Sequence, residues 1–163
     1  MKTMGEHDPI PSPLDDHARD VIGQSLQATL VDLLDLSLVA KQAHWNVVGR
    51  RFRDIHLQLD ELVDLCRKYV DEVAERAAAT GVAPDGRAAT VADSRALPAF
   101  PAGFVRDDDV INRIVESVDG VARRLRPRVD EAGKLDPVTQ DLYVEILRAL
   151  EKTRWMWSAQ CNI

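Results

Sequence analysis

From Asp15 to about Ala43 the apolar residues recur as Val21, Ile22, Leu26, Leu30, Leu33, Leu34 and Leu38. That spacing fits an amphipathic helix and matches no strand alternation, so it predicts a first helix over 16–45. Gly49, followed by Arg50, Arg51 and Phe52, marks a short joint. Ile55, Leu59, Leu62, Cys66, Tyr69, Val70, Val73 and Ala77 then keep helical spacing until Gly81, the natural stop of a second helix. Residues 81–105 are rich in Gly, Pro and Ala and too long for a tight connection, which predicts a crossover carrying one short helix. Ile111, Ile114, Val115, Val118, Val121, Ala122 and Leu125 define a third helix from about Asp107 to Glu131, with Pro127 expected to kink it or end its regular part. For a fourth helix Asp136 is a ready N-cap and Pro137 suits the first position. Leu142, Ile146, Leu147, Leu150 and Trp157 continue its apolar side.

Four long helices with one long crossover describe an all-α, ferritin-like four-helix bundle, with the short crossover helix between the second and third long helices. The chain of 163 residues is one domain's worth, expected over 15–163 behind a flexible tail at 1–14 that contains Pro9, Pro11 and Pro13. With 45% hydrophobic and 29% charged residues the composition is neither disordered nor that of a membrane protein, and no apolar run approaches the roughly 18 residues of a spanning helix. The 21 basic and 27 acidic residues leave a net charge of −6, which disfavours a generic polyanion binder. The first residues have no apolar signal core, and Cys66 and Cys161 do not form a disulfide framework, so a cytoplasmic location is expected.

Helix two carries more than an apolar stripe. His56, Asp60, Asp71 and Glu75 project at roughly 0, 40, 60 and 100 degrees on a helical wheel, while the apolar residues centre roughly 140 degrees away. A solvated charged face is the ordinary account of any one such pair. His56 and Asp71 lie about 22 Å apart along the axis, so one helix cannot gather all four side chains around one metal.

The stretch Lys41-Gln42-Ala43-His44-Trp45-Asn46-Val47-Val48-Gly49, then Phe52, His56, Asp60-Glu61 and Asp71-Glu72-Val73-Ala74-Glu75-Arg76, resembles the Dps mini-ferritins. The resemblance extends over about residues 17–163 and is densest from 37 to 81. It implies a hollow shell of twelve subunits that oxidises Fe(II), preferably with hydrogen peroxide, and otherwise with dioxygen, and stores the ferric product inside. His44, His56 and Asp60 would come from one chain and Asp71 and Glu75 from its partner. Imidazole and carboxylate accept Fe(II), and their mixed hardness tolerates Fe(III). The numbering is consistent with this arrangement. An antiparallel copy crossing midway between Leu65 and Cys66 sets His56 opposite Glu75, Asp60 opposite Asp71 and Asp64 opposite Arg67, as an isologous interface requires.

Trp45 resembles the family's tryptophan beside the iron site, where it could donate an electron; as an ordinary buried aromatic it needs no redox role. Asp136, Asp141 and Glu145 resemble the acidic residues lining the family's three-fold iron pores, although a cap and favourable charge at a helix start explain them equally simply. Cys66, Met156 and Trp157 are expected in the core, and His7 and His17 receive no metal assignment. The absence of Glu-x-x-His, which a classical ferritin's intrabundle di-iron site needs on two helices, argues strongly against a site within one bundle. DNA compaction, the other activity tied to the family, depends in many members on a basic tail. Here residues 1–16 contain only Lys2 against Glu6, Asp8, Asp15 and Asp16, and no basic extension is expected after helix four. Weak duplex binding is therefore expected at physiological salt. An inert helical scaffold would leave the five spaced ligands as coincidence.

Overall fold

The computed structural model describes residues 9–161 and shows α1 (Asp16–Asn46), β1 (Val47–Val48), α2 (Phe52–Ala79), α3 (Ala88–Ser94), β2 (Val105–Arg106), α4 (Asp107–Leu135) and α5 (Pro137–Ser158). Of the expected tail, residues 1–8, His7 among them, lie outside the described residues. Leu14 packs on the core, and the Ile10 carbonyl lies against Gly81.

Each boundary has a local cause. α1 starts where the extended Asp15 accepts a hydrogen bond from Ala18 N at 2.8 Å. α2 ends in a Schellman pattern: Val82 N donates to Ala77 O at 2.9 Å and Gly81 N to Ala78 O at 3.0 Å, with Gly81 at φ +78° supplying the left-handed residue. α4 opens with Asp107, Asp108 and Asp109, whose charges favour its N-terminal dipole. Asp136 caps α5 by accepting from Val138 N and Thr139 N, and Pro137 occupies the first position.

α1 packs along α2 and α4 along α5, and the two hairpins meet chiefly through α1 and α4. Ile22, Leu26, Leu33, Leu36, Ile55, Leu59, Leu62, Ile111, Ile114, Leu125, Tyr143 and Ile146 are fully buried between them. Cys66 is buried in the same core, and that burial pushes its thiol pKa up to about 12.

Three sequence expectations need correction. The third long helix does not stop near Glu131, and of the two outcomes expected at Pro127 an end is excluded, because α4 runs through it to Leu135. Pro127 lies on the exposed side with Arg123, whose carbonyl loses its helical donor there, and beyond it Arg128 is anchored to Asp32 and the buried Ala132 packs inward. Met156 is 47% exposed and not a core residue, whereas its neighbour Trp157 is buried. Leu38 also turns outward.

The two short strands were invisible in the periodicity. β1 pairs in parallel with β2, Val47 with Val105 and Val48 with Arg106, so the crossover returns the chain to the end of the bundle where α1 turns into α2. Asp107 then accepts a hydrogen bond from Arg51 N at 2.9 Å, with the Arg51 guanidinium beside it. That backbone hydrogen bond holds the Asp107 carboxyl below the usual range against the effect of its burial. Gly49 makes the close approach possible: its φ is +137°, and a Cβ there would meet the Asp107 carboxylate at 2.5 Å. Gly49→Ala is expected to lose about 2 kcal/mol of stability or more in thermal denaturation. Gly86→Ala, where a Cβ meets only Leu34 at 3.4 Å, should lose far less, and equal losses would contradict the account.

Candidate metal centre

The joint between α1 and α2 brings together two residues twelve positions apart in sequence. The rings of His44 and His56 stack with centroids 3.6 Å apart and planes at 22°. His44 Nδ1 donates to the His56 carbonyl at 2.9 Å, and His56 Nδ1 donates to the His44 carbonyl at 2.9 Å. A carbonyl oxygen only accepts, so both Nδ1 atoms carry hydrogen. In each neutral ring the basic nitrogen is then Nε2, oriented by a backbone bond of the kind that fixes metal-binding imidazoles. Phe52 adds a tilted ring 5.1 Å from His56.

Asp60 completes this cluster from the next turn of α2. Its Oδ1 lies 3.3 Å from His44 Nδ1 and accepts a hydrogen bond from Lys41 Nζ at 2.5 Å. The Lys41 hydrogen bond holds the Asp60 carboxyl below its ordinary range; partial desolvation opposes it, and the charges of His44, Lys41 and His56 reinforce it. Lys41 belongs to the sequence motif but was assigned no role there; its position three residues before His44, on the same helix face, is the signal that could have placed it at the site. Any cation approaching Asp60 meets this ammonium, so metal binding at that oxygen requires Lys41 to move.

Asp71 and Glu75 are exposed further along α2 and do not join the cluster. Among the described residues no three His, Cys, Asp or Glu side chains are grouped to hold a metal ion, so the His44, His56 and Asp60 of one chain are an incomplete ligand set by themselves. Asp64, Arg67, Asp71 and Glu75 form no ion pair within the described chain, although they share the face that carries His56 and Asp60. Trp45 is 64% exposed beside His44, which excludes the ordinary buried aromatic within one chain. Phe52, beside His56, is also exposed, as is Leu38 further back on α1.

The second acidic set separates into different environments. Asp136 is buried at 3% exposure, accepting from Arg76 Nη2 at 2.6 Å and from the Thr139 hydroxyl at 2.5 Å besides capping α5. Glu145 accepts from Lys68 Nζ at 3.0 Å and Tyr69 OH at 3.1 Å, which lower its pKa. Asp141 is exposed. His17, exposed or half-buried residues around it aside, lies away from the His44–His56 pair near the start of α1.

Comparison with known proteins gives a consistent family. The ferritin-like domain family matches residues 23–163. The chain is 38% identical over 87% of its length to the fine tangled pili major subunit of Haemophilus ducreyi, covering 75% of that protein. It is 30% identical over 98% of its length to the DNA protection during starvation protein of Agrobacterium fabrum, covering 96% of that protein. The structure of Dps from Microbacterium arborescens in a high iron form superimposes with a TM-score of 0.86 at 34% identity, covering 91% of this chain and 97% of that one.

Proposed function

Because the chain belongs to the Dps proteins of the ferritin-like family, we propose that it is a ferroxidase: it oxidises Fe(II) at sites shared between two copies and stores the ferric product inside a hollow shell. The observation that carries this reading is the stacked histidine pair, whose reciprocal Nδ1 bonds set both Nε2 atoms as metal-binding nitrogens next to the ionised Asp60. His44, His56 and Asp60 form one half of the site, and the partner subunit's Asp71 and Glu75 form the other. The same pairing gives the unpaired Asp64 a cation in the partner's Arg67, and covers the apolar surface of Leu38, Trp45 and Phe52.

In this site Fe(II) is the substrate. Imidazole and carboxylate hold it, Asp60 exchanges Lys41 for the metal, and the small number of protein ligands leaves room for an oxidant. Each Fe(II) gives up one electron, and hydrogen peroxide that accepts two of them, together with two protons, leaves as water. Dioxygen is the slower oxidant in this reading. Trp45 at the edge of the site supplies a further electron where the oxidant is incompletely reduced. Asp141 and Glu145 line the route by which cations enter the shell; Asp136 is withdrawn from that role by its burial and its pairing with Arg76.

The shell has twelve copies and resides in the cytoplasm, where removing Fe(II) and peroxide together protects the cell from oxidative damage. No helix among the described residues is long and apolar enough to cross a membrane. The protection of DNA after which the Agrobacterium protein is named needs no direct contact under this reading, since removing the reactants of radical formation is sufficient. Direct duplex binding remains expected to be weak for a chain of net charge −6.

Anaerobic addition of Fe(II) followed by hydrogen peroxide tests the proposal. Ferric absorbance is expected to rise faster than in protein-free buffer, without precipitate, and the iron should travel with a particle of twelve chains in sedimentation. A compact monomer, or oxidation at the rate of buffer alone, would overturn it.

A further inference from the structure

A cavity of about 630 Å³ lies away from the histidine pair, between the first half of α1, the crossover and α4. One wall is charged. Asp32, buried, accepts from Arg124 Nε at 3.1 Å and from Arg128 Nη1 at 2.8 Å, so a single carboxylate serves two guanidinium groups. Arg19 at the rim is matched by Asp20. The wall therefore carries an excess positive charge in a chain whose net charge is −6. Arg124 Nη2 sits 3.0 Å from Asp32 Oδ1 but makes no hydrogen bond, and it is buried. One carboxylate between two guanidinium groups leaves hydrogen-bond donors to spare on this wall.

The remaining walls are apolar and already in place. Ala28, Val31, Val82 and Ala96 line them. Gln27 holds the crossover against α1 through two bonds to the backbone of Asp85, donating to its carbonyl and accepting from its N–H, both at 2.8 Å. Gly23 lets Val82 lie directly on α1, since a Cβ there would meet Val82 Cγ2 at 2.7 Å. The volume falls in the range of small-molecule sites and is far more than a bare inorganic ion fills.

We propose that this cavity binds a small organic oxyanion, a carboxylate or phosphate monoester whose head group meets Arg124 and Arg128 and whose apolar body lies on Val31 and Val82. Guanidinium forks match both head groups in geometry and charge. The site is independent of iron oxidation and needs no second copy.

Calorimetric titration of the assembled, iron-free protein with benzoate, phenyl phosphate and neutral benzyl alcohol tests this. At least one of the two anions is expected to bind saturably, one per chain, and at least about tenfold more tightly than the alcohol. The tighter of the two identifies the head group. Ala28→Phe, which fills the cavity while leaving Arg124 and Arg128 in the sequence, should abolish binding, and Arg124→Lys should weaken it about tenfold. Should Arg124→Lys fail to fold, Ala28→Phe decides alone. Absence of saturable binding by both anions, equal affinity for the alcohol, or unchanged affinity in Ala28→Phe would overturn the proposal.

Discussion

Fe(II) oxidation is expected to fall by about a hundredfold or more in His56→Ala and in Asp71→Ala alike, and to return in part when the two variants are reassembled together. The length of α2 is the cause. The two residues lie on one face of a single helix but about 22 Å apart along it, so neither can serve the same metal from the same chain. Across a two-fold axis, each site takes His56 from one copy and Asp71 from the other. A mixed pair then contains one site with both lesions and one with neither. Random pairing of equal amounts should restore about a quarter of the sites. Stopped-flow ferric absorbance on refolded mixtures, with mixed dimers verified by mass, measures this. No recovery in verified mixed dimers would place the site within one chain and end the shared-site reading.

The largest stability loss is expected at Asp136. Its carboxylate caps α5, accepts the Thr139 hydroxyl and pairs with Arg76 of α2, all while buried. Asp136→Ala removes a helix cap and leaves the Arg76 guanidinium with a desolvated and unmatched charge, which should cost about 3–5 kcal/mol. Adding Arg76→Met to that variant is expected to restore part of the loss, because the unmatched charge goes with it. Acid titration reports on the same group. Burial works to raise the Asp136 pKa, but the Thr139 and Arg76 hydrogen bonds outweigh it and the net direction is downward. The folded carboxyl thus binds its proton less readily than the unfolded one. Its contribution is fully present above the unfolded pKa near 3.8 and disappears as pH falls through the lower folded value. Asp136→Asn should flatten the stability profile in that acid window. A profile as steep as that of the unaltered protein would contradict the assignment.

What could be read along the chain follows a physical division between local and distant causes. Gly81 and the Asp136-Pro137 pair act on their own neighbours, and the helix ends they predict are where α2 stops and α5 begins. Pro127 does not stop α4, because the penalty for an interior proline depends on which side of the helix it faces, and the linear pattern does not weigh water against core at one position. The β1–β2 pair joins residues on either side of α2 and the crossover, and two-residue strands have no periodicity to detect. Asp32 and Asp35 look like polar interruptions of α1 until the arginines that neutralise them arrive from α4 and the crossover.

The candidate site divides in the same way. His44, His56 and Asp60 were legible as residue types at specific spacings, and the fold brings them into contact. The reciprocal carbonyl bonds and the Lys41 pairing required the α1–α2 turn in three dimensions. Asp71 and Glu75 remain proposals about a second copy. Asp136 shows the opposite division: its local reading as an N-cap is legible at the start of α5, whereas its burial and its pairing with Arg76 appear only in the fold.

The core position of Cys66 bears on how such a protein endures its own reaction. Peroxide attacks thiolate, not thiol, and burial pushes the Cys66 pKa up to about 12, so the thiol form dominates near pH 7. Surrounded by packed side chains and held protonated, this sulfur is shielded twice over from sulfenic acid formation. Oxidative wear should begin instead at the more accessible sulfurs, the half-buried thiol of Cys161 and the thioether of Met156 at the surface of α5, leaving the bundle interior chemically intact through repeated turnover.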